Sequence, residues 1–171
     1  AIGIDHFAKP ADTLCQAAEA GALRRNFQGY TTDTADALIG LGASSIGRLP
    51  QGYVQNMVAT GEYQRMTGEG GLAIVKGIEL SEEDHLRSHV IERLMCDFAL
   101  DFADLDQRFG KASHAVRMQA QHFAAGNSDG VVRMDADIFA LTEVGRPFVR
   151  NIAAIFDTYL GNGRGRHSVA V

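Results

Sequence analysis

Two cysteines, three prolines and no tryptophan in 171 residues exclude several protein classes before any motif is read. Cys15 and Cys96 stand too far apart for a CxxC pair or a cluster-ligand run, so they read as two reduced thiols and not as a disulfide framework. No apolar run approaches the roughly 20 residues of a membrane helix, and the opening segment, with Asp5, His6 and Lys9, lacks a signal-peptide core. Positive charge is scarce too. Sixteen basic residues face 21 acidic ones, a net of −5, which argues against general affinity for nucleic acid or an anionic membrane. What remains is a 46% hydrophobic chain, enough for one good core or two small ones. A cytoplasmic monomer is expected. Because Ala1-Ile2-Gly3-Ile4 reads like part of a buried strand, the chain is expected to be a fragment of a longer protein.

Periodicity divides the chain. After the strand-like Ile2-Gly3-Ile4, a helix capped by Lys9 or Asp12 runs through Ala17-Ala18-Glu19-Ala20 to Gly21. The segment from Ala37 to Gly47 is continuously apolar or small, as a strand buried on both faces of an α/β sheet would be. Tyr53 to Tyr63 reads as a short helix, and Gly68-Glu69-Gly70-Gly71 marks a boundary. Beyond it, Ser81-Glu82-Glu83-Asp84 resembles a capping box, followed by Leu86, Val90, Leu94 and Phe98 at intervals of four. A short helix carries Phe102, Leu105 and Phe109, and a third begins near Ser113 and ends at Gly126-Asn127. Two strands, Gly130 to Met134 and Ile138 to Thr142, are joined by the hairpin-sized turn Asp135-Ala136-Asp137. A last helix from Pro147 presents Phe148, Ile152, Ile155, Phe156, Tyr159 and Leu160 to a core, and residues 161–171 form a disordered tail. The order helix, helix, helix, hairpin, helix is a winged-helix-like plan.

Several constellations carry chemistry. Arg24-Arg25-Asn26-Phe27-Gln28-Gly29-Tyr30-Thr31-Thr32 packs guanidinium, amide, aromatic and hydroxyl groups into nine residues without period. A planar heterocycle could stack on Phe27 while Gln28 pairs with its edge, and the arginines could hold carboxylates through bidentate hydrogen bonds. The plain alternative is a polar loop whose aromatics cover the core. Gly40-Leu41-Gly42-Ala43-Ser44-Ser45-Ile46-Gly47 fails as a dinucleotide fingerprint, having Ser45 for the third glycine, and fails as a nucleophile elbow because Ile46 stands where glycine is needed. A close backbone approach to a ligand remains, with Ile46 as an apolar wall. Asp5 and His6 follow a strand-like piece, where α/β sheets place binding groups. Adjacent strand residues face opposite ways, so the two do not form a dyad. His85 and His89 share a helix face but lack a third ligand, so no metal is expected there. Duplex binding by the third helix is disfavoured, since residues 81–171 carry 10 basic and 13 acidic residues.

The runs Gly3-Ile4-Asp5-His6-Phe7-Ala8, Arg25 to Thr32, Gly40 to Ile46, Tyr53-Val54-Gln55-Asn56, Val90 to Phe98, Arg150-Asn151-Ile152 and Phe156 to Leu160 resemble, in order and spacing, motifs of oxygen-independent coproporphyrinogen III oxidase, a radical S-adenosylmethionine family. The resemblance covers nearly the whole chain and implies its C-terminal portion. It implies an α+β, mainly α fold: residues 1–66 end a partial (β/α) barrel, 67–80 link, and 81–160 form the helical winged-helix-like domain. The implied reaction is oxidative decarboxylation of two propionates of coproporphyrinogen III to vinyls, using S-adenosylmethionine and a [4Fe–4S] cluster, in haem synthesis. Phe27, Gln28 and Ile46 match positions lining a second S-adenosylmethionine site. Arg24 and Arg25, with Asp5 and His6, are candidate substrate-binding residues. The family's CxxxCxxC motif, which ligates the cluster, lies upstream and is absent here, so the chain alone is expected to bind no cluster and to have no turnover. Rival readings are a haem-chaperone relative and a winged-helix regulatory module.

Overall fold

The computed structural model describes residues 2–4 and 6–160; Asp5 and the expected tail 161–171 lie outside the described residues. The chain divides into two compact units, one built from residues 1–32 and 85–171 and the other from residues 33–84. No helix among the described residues is long and apolar enough to cross a membrane.

The first unit is organised by α3 (Glu82–Asp97). Its start is the expected capping box: the Ser81 amide and hydroxyl donate to Asp84 Oδ2 at 2.9 and 2.7 Å, and the Asp84 amide donates back to Ser81 Oγ at 3.2 Å. One turn apart, Leu86, Val90 and Leu94 are buried, while Phe98, next in the series, lies past the helix end at φ +57. The chain then forms β6 (Ala99–Asp101), α4 (Phe102–Phe109), α5 (Ser113–Ala125), β7 (Val132–Met134) and β8 (Ile138–Leu141). Asp101 caps α4 through the Ala103 amide at 2.8 Å. The expected hairpin is present, and β6 joins it to make an antiparallel sheet in the order β6-β8-β7. Phe139 of β8 packs edge-on to Phe123 and Phe156, centroids 6.4 and 6.2 Å away, in one core with Phe102, Leu105, Val116 and Ile152. The final helix, α6 (Val149–Ala154), follows a 3₁₀ turn at Arg146–Phe148 and is shorter than expected. Ile152 and Phe156 reach the core, but Phe148, Tyr159 and Leu160 are exposed, because helical spacing stops after six residues.

Residues before Thr32 complete this unit. Asp12, one of the two expected caps, accepts from the Leu14 amide at 2.9 Å and starts α1 (Thr13–Glu19). The expected first strand is a turn: Ile2 bridges His6, and Gly3 sits at φ +59. A tight hairpin follows, β1 (Arg24–Asn26) paired with β2 (Gly29–Thr31). Ile2, Leu23 and Cys96 form a second small apolar cluster.

The second unit departs most from expectation. It is an antiparallel sheet of β3 (Ile46–Leu49), β4 (Gly52–Asn56) and β5 (Ile74–Glu79), with α2 (Thr60–Gly68) between β4 and β5. Tyr53 to Asn56, expected in a helix, lies in β4 because β3 and β5 pair with it on both sides. The expected linker 67–80 carries β5 for the same reason. The apolar run from Ala37 loops as far as Ser45 and enters a strand, β3, only at Ile46, so it is not one strand buried on both faces. Leu38 makes a single bridge to Arg48, Ile39 and Leu41 are exposed, and Gly42 and Ser44 take φ +100 and +62, which no strand permits. Every strand pair among the described residues is antiparallel and no sheet among them closes into a barrel.

Candidate functional site

The β1–β2 hairpin gathers most of the polar and aromatic groups singled out in the sequence. Its two-residue tip is Phe27-Gln28, closed because Asn26 Oδ1 accepts from the Gln28 amide at 2.8 Å and Gly29 takes φ +137. That turn leaves the Phe27 ring 54% exposed. Tyr30 is the hairpin's fixed point. Its hydroxyl donates to the Met95 carbonyl of α3 at 2.9 Å, and the His6 ring meets it edge-on with centroids 5.1 Å apart. Gly3 and Gly29 permit this: a Cβ on Gly3 would meet the Tyr30 hydroxyl at 2.0 Å, and one on Gly29 would lie 3.2 Å from His6 Nε2.

The two arginines of β1 part company, as neighbours on a strand must. Arg24 Nε donates to Glu92 Oε1 at 3.1 Å, and the same oxygen accepts from the Arg25 amide at 3.0 Å. One carboxylate on α3 therefore pins both residues. The Arg25 side chain instead lies over the Tyr30 ring, Cζ 5.7 Å from the centroid. Arg93, one residue after Glu92, donates to Asp97 Oδ2 at 2.7 Å and to the Leu23 carbonyl at 2.7 Å, and so ties the strand's approach to the same helix. Sequence reasoning quoted Glu92 and Arg93 only as part of a resembling run. Nothing local marks their hold on the hairpin, because Arg24 and Leu23 lie about 70 positions away.

Of the residues expected to bind a ligand, Arg24, Arg25, Phe27 and Gln28 share the hairpin and His6 packs against it. Arg24 is drawn off to Glu92. Asp5 lies outside the described residues. Ile46 opens β3 in the second unit and is 38% exposed. Near it, Asn56 Nδ2 donates to the carbonyls of Gly40 and Gly42, both at 3.0 Å, and the Gly42 amide donates to the Tyr63 hydroxyl at 3.1 Å, so this loop too has a set shape.

The hairpin tip thus presents a half-exposed Phe27 ring beside a Gln28 whose own amide is tied to Asn26. The chain does not suit a [4Fe–4S] cluster. Among the described residues no three His, Cys, Asp or Glu side chains converge. Cys96 is buried, and burial, little relieved by the Arg93 charge, pushes its thiol up to about 12, so it is held as a thiol and not as the thiolate that ligates iron. His89, the supposed partner of His85, points its Nε2 toward Asp104 at 3.5 Å. Its pKa is lowered by burial first and by the Arg108 and Arg93 charges second.

Residues 80–148 match the family described as the HemN C-terminal domain. The oxygen-independent coproporphyrinogen III oxidase of Bradyrhizobium diazoefficiens is 48% identical over 170 residues, 99% of this chain and 38% of that protein. The Paracoccus denitrificans protein of the same name is 45% identical over 170 residues, 99% of this chain and 37% of that one. Among solved structures, coproporphyrinogen III oxidase (HemN) from Escherichia coli, described as a radical SAM enzyme, superposes with a TM-score of 0.85 at 38% identity, covering 93% of this chain and 37% of its own. The chain thus spans a little over a third of the length of these relatives. Across that span, hairpin, helices and small sheets included, the chain is similar to the oxygen-independent coproporphyrinogen III oxidases.

Proposed function

We propose that this chain is the C-terminal part of an enzyme that oxidatively decarboxylates two propionates of coproporphyrinogen III to vinyls, giving protoporphyrinogen IX. The observation that carries the reading is a 48%-identical relative of that name matched along 99% of the chain. S-Adenosylmethionine and a [4Fe–4S] cluster held elsewhere in the longer protein supply, when bound, the radical that takes a substrate hydrogen. Here the work of the chain's own residues is binding. Phe27 offers a ring face for the adenine, Gln28 an amide for its edge, and Ile46 an apolar wall. Asn26 and Gly29 hold the Phe27-Gln28 turn in the shape that presents them. Residues 1–66 edge the barrel of the longer protein, and residues 81–160 form its winged-helix-like cover, a reading supported by α3, α4 and α5 preceding the β7–β8 hairpin.

The test uses the full-length protein, reconstituted anaerobically with iron and sulfide and supplied with coproporphyrinogen III and S-adenosylmethionine. Protoporphyrinogen IX and 5′-deoxyadenosine are the expected products, and Phe27→Ala raises KM for S-adenosylmethionine by about tenfold. Absence of both products from a protein with its full cluster would refute the reading. The 171-residue chain alone, treated identically, takes up no stoichiometric brown chromophore.

A further inference from the structure

We infer that Arg25, and not Arg24, is the carboxylate-binding arginine of this chain. The inference rests on the function proposed above and names one of its contacts. Two adjacent arginines looked equivalent in the sequence, but their surroundings are opposite. The Arg24 charge is already matched by Glu92, whose side chain is only 14% exposed. No carboxylate among the described residues pairs with the Arg25 guanidinium, and its Nε is buried without a hydrogen-bond partner. Arg87 and Arg93 also leave a buried Nε unbonded, yet both anchor their terminal nitrogens: Arg87 Nη1 to Gln119 Oε1 at 2.6 Å, Arg93 Nη1 and Nη2 to Asp97 and Leu23. For Arg25, the described residues supply the Tyr30 ring and no such anchor.

A buried N–H with no acceptor costs about 1–3 kcal/mol, and such a group persists where a ligand completes it. Arg25 is also preorganised. Its platform, Tyr30, is fixed by the Met95 carbonyl and by His6, and its own amide is fixed by Glu92, so little motion is lost when a ligand arrives. With its Cζ 5.7 Å from the Tyr30 centroid, the Arg25 guanidinium brings a planar fork of donors of the kind that matches a carboxylate in bidentate geometry. Two and three residues further on lie Phe27 and Gln28, at the tip of the same hairpin. Two ligands of the proposed reaction carry a carboxylate: the propionates of the porphyrinogen and the α-carboxylate of S-adenosylmethionine.

The experiment measures equilibrium binding of coproporphyrin III, its tetramethyl ester and S-adenosylmethionine to the full-length protein and to its Arg25→Gln, Arg25→Lys and Arg24→Gln variants. Arg25→Gln weakens one acid ligand by about 10- to 100-fold, and Arg25→Lys recovers part of the loss. Loss confined to coproporphyrin III, with ester binding unchanged, assigns a propionate; loss confined to S-adenosylmethionine assigns its carboxylate. Arg24→Gln lowers the unfolding temperature and leaves each affinity within about threefold. If the unaltered protein binds these ligands and Arg25→Gln binds them equally well, the inference fails while the proposed function stands. If the unaltered protein binds neither acid, both fail together.

Discussion

Glu92→Ala is the most informative single substitution, because one carboxylate oxygen receives both the Arg24 side chain and the Arg25 amide. Removing it leaves two donors without an acceptor. A hydrogen bond to a charged group contributes about 1.5–3 kcal/mol, but Arg24 is 41% exposed and water replaces much of its share. The expected loss is about 2 kcal/mol, roughly a 30-fold change in the unfolding equilibrium. Glu92→Gln keeps an acceptor at the same place and loses charge alone, so about 1 kcal/mol is expected. Urea denaturation of the chain gives the total, with an unchanged slope showing that the folded and unfolded states are otherwise alike. Amide exchange gives the local part: the Arg25 N–H should exchange faster in Glu92→Ala than in Glu92→Gln, while the Val90 and Leu94 amides speed up by no more than the global loss allows. A loss under about 0.5 kcal/mol, with the Arg25 amide as protected as before, would refute the idea that Glu92 holds the hairpin.

Three further outcomes follow from the geometry. A Cβ on Gly145 would lie 1.8 Å from the Val131 carbonyl oxygen, so Gly145→Ala should cost about 3 kcal/mol or more, whereas Gly126→Ala, with nothing nearer than 3.8 Å, stays within about 0.5 kcal/mol in the same denaturation assay. Because burial and the neighbouring arginines lower the His89 pKa, the folded chain favours neutral His89. The unfolded chain then takes its proton first as pH falls through about 6.5, and stability drops between that pH and the lower folded value. His89→Phe should flatten that limb of the stability profile. Iodoacetamide should label Cys15 at least about tenfold faster than Cys96, whose thiol at about 12 is both buried and protonated; equal rates in the native protein would contradict the packing.

Local signals in the sequence were enough for α1, α3, α4, α5 and the β7–β8 hairpin, since each carries its own cap, period or turn. They failed where distant pairing decides. Gly40-Leu41-Gly42-Ala43-Ser44 has the composition of a buried strand, but the Asn56 amide gathers the Gly40 and Gly42 carbonyls and Gly42 and Ser44 take positive φ, so it loops. The three residues of β6 are too few for a period, and they are strand only because β8, nearly 40 positions later, pairs with them. The hairpin's ligand-like residue types were legible for the same reason that its energetics were not. Side-chain chemistry is written locally, while the choice between Arg24 and Arg25 depends on Glu92.

The first unit's discontinuity has a consequence in time. The hairpin at residues 24–31 leaves the ribosome well before Glu92, Arg93 and Met95, the groups on α3 that hold it. At roughly 5–20 residues per second, the 61 residues from Thr31 to Glu92 take about 3–12 s to synthesise. During that interval Leu23 and Tyr30 lack α3, which supplies Cys96 to their cluster and the Met95 carbonyl to the Tyr30 hydroxyl. A nascent chain stalled before residue 92 should therefore present this segment to chaperones, and one stalled after α3 has emerged should not.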